Sequence, residues 1–287
     1  MSLREQVKQP LHRVAQRAYV GAGELTSAAR LPPDFVVVGA SRSGTTSLFR
    51  ALSAHPDVLR PAVNKGVRYF DLNYGEPWRW YLGHFPLRMT AGRRGARGRR
   101  ALCFEASGYY LFHPFTAERI ARHLPDVRVV AMLRDPVERA FSGWKHESAR
   151  GFEWEPFERA LDLEDERLLG EVDRMARDVT YRSFCHWHHS HRSRGEYADQ
   201  LERLLAVLPR ERVHVIPSES FFAQPEREYR ALLEFLGLPA HEPASFERHN
   251  ARPSAAMPAT IRRVLADHYA DGNAALERLI GRPLNWT

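Results

Sequence analysis

A loop bracketed by two glycines, directly after an apolar run, is the first segment of this chain that could do chemistry. Residues 35–38 read Phe-Val-Val-Val, a continuous apolar run typical of a strand buried on both faces. Gly39 and Gly44 then bracket a short loop, and Thr45 begins a segment with helical apolar spacing. Because a helix N-terminus behind such a loop points backbone N–H groups at an anion, these residues predict a phosphate site.

The loop departs from the nucleoside-triphosphate pattern G-x-x-x-x-G-K-[ST] at one informative position. Thr45 stands where that pattern has lysine, and the cation lies inside the loop instead, at Arg42. A loop of this composition can still hold a phosphate, but it lacks the lysine that reaches a γ-phosphate. The sequence therefore argues against an ATPase or GTPase.

A second phosphate-type motif follows residues 127–133, another apolar run with the character of a buried strand. Arg134 comes at the carboxyl end of this run, where open α/β sheets bind their ligands. Pro136 suits the first turn of the next helix, and Ser142 comes two helical turns into it. This arginine and serine could clamp one more phosphate. Two such sites suit a single bisphosphorylated nucleotide better than two coincidences.

The order and spacing of these motifs resemble the sulfotransferases that use 3′-phosphoadenosine-5′-phosphosulfate (PAPS), in the branch of the heparan-sulfate enzymes and their bacterial relatives. The 5′-phosphosulfate loop of that family is similar to residues 39–48, although many members carry Lys where this chain has Arg42. Their 3′-phosphate motif is similar to residues 134–142. Further matching segments are 65–71, 104–110, 194–201 and 284–286, so the resemblance runs from about residue 34 to the C-terminus.

The resemblance implies an enzyme that transfers a sulfuryl group from PAPS to a hydroxyl or amine of a carbohydrate, lipid or natural-product acceptor, with no metal. In such an enzyme, Arg42 would neutralise charge on the leaving 5′-phosphate, while Arg134 and Ser142 would bind the 3′-phosphate. The implied cofactor-binding residues are Arg42, Ser43, Gly44, Thr45, Thr46, Ser47, Arg134, Ser142 and Arg252. Two alternatives stay open: a PAPS-binding protein without catalysis, and a P-loop nucleotide kinase with a degenerate loop.

The sequence leaves open which group removes the acceptor's proton. Many relatives read Lys-Glu-x-x-Phe-Phe near residue 65, with the Glu proposed as base, whereas this chain has Gly66. His146 is one candidate, because it lies one helical turn beyond Ser142 and a neutral imidazole accepts a proton near pH 7. Glu105, which is expected to follow a strand, is the second candidate. An acidic acceptor such as a phenol would need little general base.

The rest of the chain alternates short apolar runs with amphipathic segments. A further strand is predicted at 213–216, and helical patterns cover 45–54, 118–124, 196–208 and 226–236. Strands separated by helices predict an α/β fold. We expect a P-loop-type, doubly wound parallel sheet flanked by helices, forming a single domain over residues 34–287.

Composition narrows the class of protein. The chain has 287 residues, of which 44% are hydrophobic and 27% charged, as in an ordinary globular protein. Its net charge of +7 favours anionic ligands, but no nucleic-acid-binding motif is visible and no nucleic-acid partner is expected. Two cysteines give no disulfide framework, and no segment is long and apolar enough to be a signal peptide or membrane span. The expected location is therefore cytoplasmic.

Two segments have a looser connection with this chemistry. Residues 1–33 form a basic amphipathic helical extension, which we expect to pack on the main domain, with contact to an anionic membrane surface as the alternative. Residues 185–191 read Cys-His-Trp-His-His-Ser-His, a composition that can bind Zn²⁺. No second set of ligands is evident, and the expected chemistry needs no metal.

Overall fold

The structure, a computed structural model, describes residues 16–95, 100–243, 246 and 256–286. Its centre is a parallel sheet of five strands: β1 (Phe35–Gly39), β2 (Val58–Leu59), β3 (Leu102–Ala106), β4 (Arg128–Leu133) and β5 (Val213–Pro217). The strand order is β2-β3-β1-β4-β5, with β1 in the middle. Every residue of β1 is buried, as its apolar run predicts.

Helices lie between the strands along the chain. Those in the described residues are α1 (16–25), α2 (Thr45–Ala54), α3 (Trp78–Gly83), α4 (Arg88–Arg94), α5 (Thr116–His123), α6 (Pro136–Ser148), α7 (Phe157–Asp162), α8 (Glu164–Leu168), α9 (Glu171–Arg177), α10 (Phe184–His188), α11 (Tyr197–Leu205), α12 (Ser218–Ala223), α13 (Pro225–Leu236) and α14 (Ala259–Ile280). The segment from α7 to α10 inserts four short helices between α6 and α11.

The central strand contributes alternate side chains to two separate cores, because successive residues of a strand face opposite sides of its sheet. Val36 and Val38 belong to the core that includes residues of α5 and α11. Phe35 and Val37 belong to the other core, with residues of α2 and α13. Burying one such side chain contributes about 1.5–3 kcal/mol, so the two cores fix the sheet between two helical layers. The prediction of a doubly wound parallel sheet is confirmed.

Pairing of neighbouring strands brings three loops to one edge of the sheet. β1 pairs in parallel with β3 on one side and with β4 on the other, so all three strands end at the same edge. The loop after β1 is joined to the loop after β3 by a hydrogen bond of 3.0 Å from Ser41 Oγ to Gly108 O. It is joined to β4 by a bond of 2.7 Å from Ala40 N to Met132 O. The candidate site lies at this edge.

The position of Glu105 and the packing of the N-terminal extension are seen directly in the structure. Glu105 does not follow a strand but lies within β3, because β3 continues one residue past it. Of the extension at 1–33, the described part packs on α3 and the turn after it. There, Leu31 N donates to Pro86 O at 3.1 Å, and Val20 is buried. Residues 1–15 lie outside the described residues. Within the described ranges, no helix combines the length and the apolar character needed to cross a bilayer.

Candidate functional site

The loop between β1 and α2 has the geometry of an anion-binding turn. Gly44 has a φ of +91°, and a Cβ added to it would lie 2.8 Å from the ring of Phe222. Only glycine fits such a position without strain. Arg42 also takes a left-handed conformation, with a φ of 73°. The loop then leads to Thr45, the first residue of α2, so the N-terminal end of that helix and the positive end of its dipole lie at the loop.

The two phosphate-type motifs meet in space, although they lie far apart in the sequence. Arg42 Nε donates a hydrogen bond of 3.2 Å to Ser142 Oγ. Arg134 Nη1 donates one of 3.4 Å to the backbone oxygen of Arg42. Two guanidinium groups and one hydroxyl are therefore assembled beside the loop. This is the juxtaposition that the sequence predicts for a nucleotide with two phosphate-bearing positions.

The motif at 134–142 folds as a strand end followed by a capped helix. Asp135 Oδ1 accepts a hydrogen bond of 2.8 Å from Val137 N, and Pro136 fills the first helical position of α6. Arg134 lies 3.6 Å from Glu138 in a half-exposed ion pair. Since such pairs contribute little, Arg134 can exchange this partner for a phosphate at small cost.

A third cation, which the sequence analysis did not assign, also reaches the loop. Lys65 Nζ donates a hydrogen bond of 2.9 Å to Thr45 Oγ1 and lies 5.9 Å from the centre of the Phe49 ring. Burial lowers the pKa of Lys65 to about 7. Its position could have been suspected from two signals. The chain has only three lysines, and a threonine stands where the nucleoside-triphosphate pattern has its lysine.

Glu105 has no exposed surface, and its carboxylate accepts four hydrogen bonds. The donors are Val67 N at 2.7 Å, Tyr81 Oη at 2.8 Å, Tyr110 Oη at 3.0 Å and Ser107 Oγ at 3.0 Å. Burial raises the pKa of this carboxyl group. The geometry makes Glu105 an anchor that ties the 65–71 segment to β3. Its assignment as the base stays a prediction, which this burial disfavours.

His146 and Ser142 lie on α6 one helical turn apart, in the arrangement that the sequence predicts. The imidazole is partly buried. The neighbouring Glu147 is hydrogen-bonded to His188 Nδ1 at 2.7 Å, which ties this part of α6 to α10. Of the two candidate bases, His146 alone has exposed surface.

Gly66 is packed too closely to carry a side chain. A Cβ built on it would lie 2.4 Å from Ser107 Oγ and 2.5 Å from the backbone oxygen of Ala106. Contacts this short require the backbone to move. The absence of a glutamate at this position is therefore part of the local packing, and not a substitution in an otherwise unchanged site.

The middle of the 65–71 segment contacts α10. The guanidinium of Arg68 stacks on the ring of Trp187, with 4.2 Å between Cζ and the ring centre. Asp71 lies 4.0 Å from Arg68, and burial raises the pKa of Asp71 to about 6. Among the described residues, Asp71 Oδ2 has no hydrogen-bond partner. The segment therefore contacts β3 through residues 65–67 and α10 through Arg68.

The histidines of residues 185–191 are buried inside the protein and bonded to other groups. His188 pairs with Glu147, and His191 Nε2 lies 3.1 Å from Glu153 Oε2. His189 Nε2 lies 2.9 Å from the backbone oxygen of Phe152. Across the part of the chain that the structure describes, no group of His, Cys, Asp and Glu is arranged to hold a metal ion. These imidazoles therefore act as hydrogen-bonding core residues.

The remaining predicted cofactor-binding residues differ in how far they are buried. Ser43 and Ser47 are buried, and Thr46 is partly buried at the start of α2. Arg252 lies outside the described residues, so its assignment stays a prediction.

A parallel sheet with a glycine-bracketed loop after its central strand, and a second cationic motif after the adjacent strand, defines the P-loop-like class of α/β fold. The chain belongs to the sulfotransferase domain family, whose model matches residues 32–257. The resemblance to sulfotransferases that the sequence predicts is confirmed.

Comparison with individual proteins agrees with this assignment. The crystal structure of a sulfotransferase from Alicyclobacillus acidocaldarius superposes with a TM-score of 0.66 at 33% identity, covering 88% of this chain and 98% of that one. The membrane-associated sulfotransferase kil1 of Dictyostelium discoideum is 24% identical over 88% of this chain and 66% of its own length. The human bifunctional heparan sulfate N-deacetylase/N-sulfotransferase 3 is 25% identical over 88% of this chain. The chain spans 30% of that human protein's length.

Proposed function

We propose that this protein is an active sulfotransferase that takes its sulfuryl group from PAPS and transfers it to a hydroxyl or amine of an acceptor. The observation that carries the proposal is the meeting of Arg42, Ser142 and Arg134 beside the N-terminus of α2. A helix N-terminus suits one phosphate, and the two arginines with the serine suit a second. PAPS has phosphate at both its 5′ and 3′ positions, and ordinary adenylates lack the 3′-phosphate.

The charges of the site fit this cofactor. Cationic side chains from three segments converge on the loop, and the dipole of α2 adds a positive end. PAPS would supply an activated sulfuryl group. In the transfer, the bond between sulfur and the acceptor atom forms as the bond between sulfur and the 5′-phosphate oxygen breaks. The protein's task is to position the two partners and to stabilise the charge that grows on the leaving phosphate.

His146 is our proposed general base. In that role, its neutral imidazole would take the acceptor's proton as the new bond to sulfur forms. Its place on α6, one turn from the proposed 3′-phosphate ligand Ser142, ties the base to the cofactor site. With Glu105 fully buried and Gly66 unable to carry a side chain, His146 is the candidate whose position suits the role best.

Two binding measurements and one assay test this function. Isothermal titration should show tight binding of adenosine 3′,5′-bisphosphate without Mg²⁺, and weak binding of Mg·ATP. Labelled sulfate should then be transferred from PAPS to at least one member of a panel of sugar, amino-sugar, lipid and phenol acceptors. Binding without transfer to any acceptor would favour the non-catalytic alternative. Preference for Mg·ATP would favour a kinase and overturn the proposal.

The acceptor and the cellular compartment are also proposals. We infer a carbohydrate, lipid or natural-product acceptor, by analogy with relatives named for sulfotransfer to heparan sulfate and for membrane association. We propose a cytoplasmic location, which the two unpaired cysteines Cys103 and Cys185 support. Peripheral contact of residues 1–33 with a membrane is the alternative. Fractionation of cells that express the full chain, with and without residues 1–15, separates the two locations.

A further inference from the structure

We propose that Lys65, which lies outside the phosphate loop, binds the nucleotide's 5′-phosphate at the N-terminus of α2. Proton uptake on nucleotide binding is the signature by which this contact is tested. The inference rests on the proposed function and adds to it a residue outside the loop. Lys65 belongs to the connection between β2 and α3. The lysine of the nucleoside-triphosphate pattern would stand at position 45, where this chain has threonine.

The contact with Thr45 places the amine at the helix N-terminus. Lys65 Nζ lies 2.9 Å from Thr45 Oγ1, and Thr45 is the first residue of α2. An ammonium group has three N–H donors, and this contact uses one of them. The others are available to an anion held by the N–H groups of the same helix end. A hydroxyl at position 45 and an amine from position 65 together supply what a single lysine supplies in the nucleoside-triphosphate pattern.

Backbone hydrogen bonds hold Lys65 and its neighbours in place, so the position from which its side chain extends is determined by the fold. The backbone oxygen of Lys65 accepts a hydrogen bond of 3.0 Å from Ala106 N. Two residues further on, Val67 N donates to the buried Glu105 carboxylate at 2.7 Å. Gly66, between them, is packed directly on Ser107. The side chain of Lys65 can therefore extend only from this anchored position.

Within the described part of the chain, the surroundings of the amine contain no fixed counter-charge. Thr45 and Phe49 on α2 are uncharged, as are Ala106 and Ser107 at the end of β3. The nearest acid along β3, Glu105, is hydrogen-bonded to Tyr81 and Tyr110 instead. Burial is the sole cause of the lowered pKa of Lys65, about 7. A phosphate bound at the loop supplies the missing negative charge and raises that pKa, so binding takes up a proton.

Calorimetry detects this proton directly. Adenosine 3′,5′-bisphosphate is titrated into the protein at pH 8 in buffers of different ionisation enthalpy, and the dependence of heat on buffer gives the number of protons taken up. We expect uptake approaching one proton at pH 8, where the free amine is mostly neutral and the nucleotide's phosphates are fully ionised. The net uptake should fall at pH 6, where the amine is already charged and the phosphates, with second pKa values near 6, release protons on binding. Lys65→Met should abolish this uptake and weaken binding roughly 10- to 100-fold, the loss of one charged hydrogen bond.

Three further variants separate proton uptake at Lys65 from uptake at a neighbouring group. Lys65→Arg keeps a positive charge, but the guanidinium does not titrate in this pH range. This variant should therefore bind the nucleotide more tightly than Lys65→Met and take up no proton on binding. Lys145→Met, which removes the other described lysine, and His146→Gln should both keep the uptake of the unaltered protein. Thermal unfolding of each variant shows whether it is folded.

The outcomes distinguish this inference from the proposed function. If the unaltered protein binds the nucleotide without taking up a proton, or if folded Lys65→Met still takes one up, Lys65 does not have this role and the sulfotransferase proposal stands. If Lys65→Met binds as tightly as the unaltered protein, the contact with phosphate is wrong. If the unaltered protein does not bind adenosine 3′,5′-bisphosphate at all, both proposals fail.

Discussion

Single residues of the site divide between those that hold the nucleotide and one that is expected to act on the acceptor. Arg134 belongs to the first group, and its partner Glu138 is half-exposed. Arg134→Ala should lower the affinity for adenosine 3′,5′-bisphosphate roughly 10- to 100-fold, because one charged hydrogen bond to the 3′-phosphate is lost. Titration calorimetry measures this, with 5′-AMP as the control ligand. An equal loss for 5′-AMP would place the arginine elsewhere on the nucleotide.

His146 is the residue expected to act on the acceptor. His146→Ala should lower turnover by about 10²- to 10⁴-fold while nucleotide affinity stays nearly unchanged, because a general base acts in the chemical step alone. In the unaltered protein, turnover should rise with pH as the neutral imidazole, the form that can accept a proton, becomes populated. Sulfate-transfer rates from pH 5.5 to 8.5 test both statements.

Glu105→Gln is the matched comparison for His146. Because the carboxylate accepts four hydrogen bonds and touches no solvent, this change should lower the free energy of unfolding by about 1–3 kcal/mol and spare the pH dependence of turnover. If instead Glu105→Gln abolishes transfer at unchanged stability and His146→Gln does not, the carboxylate is the base. Full activity in both variants would indicate an acceptor acidic enough to need none.

At the scale of elements, the segment between β2 and α3 positions Lys65 through its close packing on β3. Gly66→Ala adds one methyl group into space 2.4 Å from Ser107 Oγ, so the segment must move. We expect a loss of about 1–3 kcal/mol in the free energy of unfolding, as for other overpacked sites. Gly92→Ala in α4 is the control. It meets no atom within 4 Å and should be neutral or stabilising. Urea denaturation of both variants measures the difference, and equal stability would contradict the packing.

The elements also show what the sequence could predict. Long apolar runs identified β1 and β4, and helical spacing placed α2 at 45–54, because these patterns are local. β2 has only two residues and carries no periodicity that could reveal it. That the two phosphate-type motifs serve one nucleotide was inferred from their places after apolar runs and from the family resemblance, whereas the hydrogen bond between Arg42 and Ser142 was not predicted. The approach of Lys65 to Thr45 depends on how a connection without regular structure packs on β3, and no local pattern encodes that.

At the scale of the whole molecule, buried neutral histidines make stability sensitive to acid. Burial lowers the pKa of His113 to about 2, of His186 to about 3 and of His214 to about 4. The unfolded chain binds protons at these imidazoles near pH 6.5, whereas the folded protein does not. The contribution of these histidines to the free energy of unfolding is therefore fully present above about pH 6.5 and is lost as the pH falls. At pH 5 the loss is about 2 kcal/mol for each such histidine.

Urea midpoints at pH 7, 6 and 5 measure this acid sensitivity. We expect the midpoints to fall steadily with pH, while the slope of the unfolding free energy against urea concentration stays constant. His186→Gln should be less stable than the unaltered protein at pH 7 but lose less on acidification, because one of the proton sites of the unfolded chain is gone. A midpoint that is flat from pH 7 to pH 5 would show that these imidazoles are not held neutral.

The packing of Gly66 limits which substitutions this position could accept during evolution. Two of the three atoms closest to a Cβ at this position belong to the backbone of Ala106. A glutamate could not be introduced here by a single substitution, even with a smaller residue at position 107, unless the connection first drew back from β3. That withdrawal would carry Lys65 away from Thr45. A side chain at position 66 and the present contact of Lys65 with Thr45 therefore place conflicting demands on how closely this connection packs on β3.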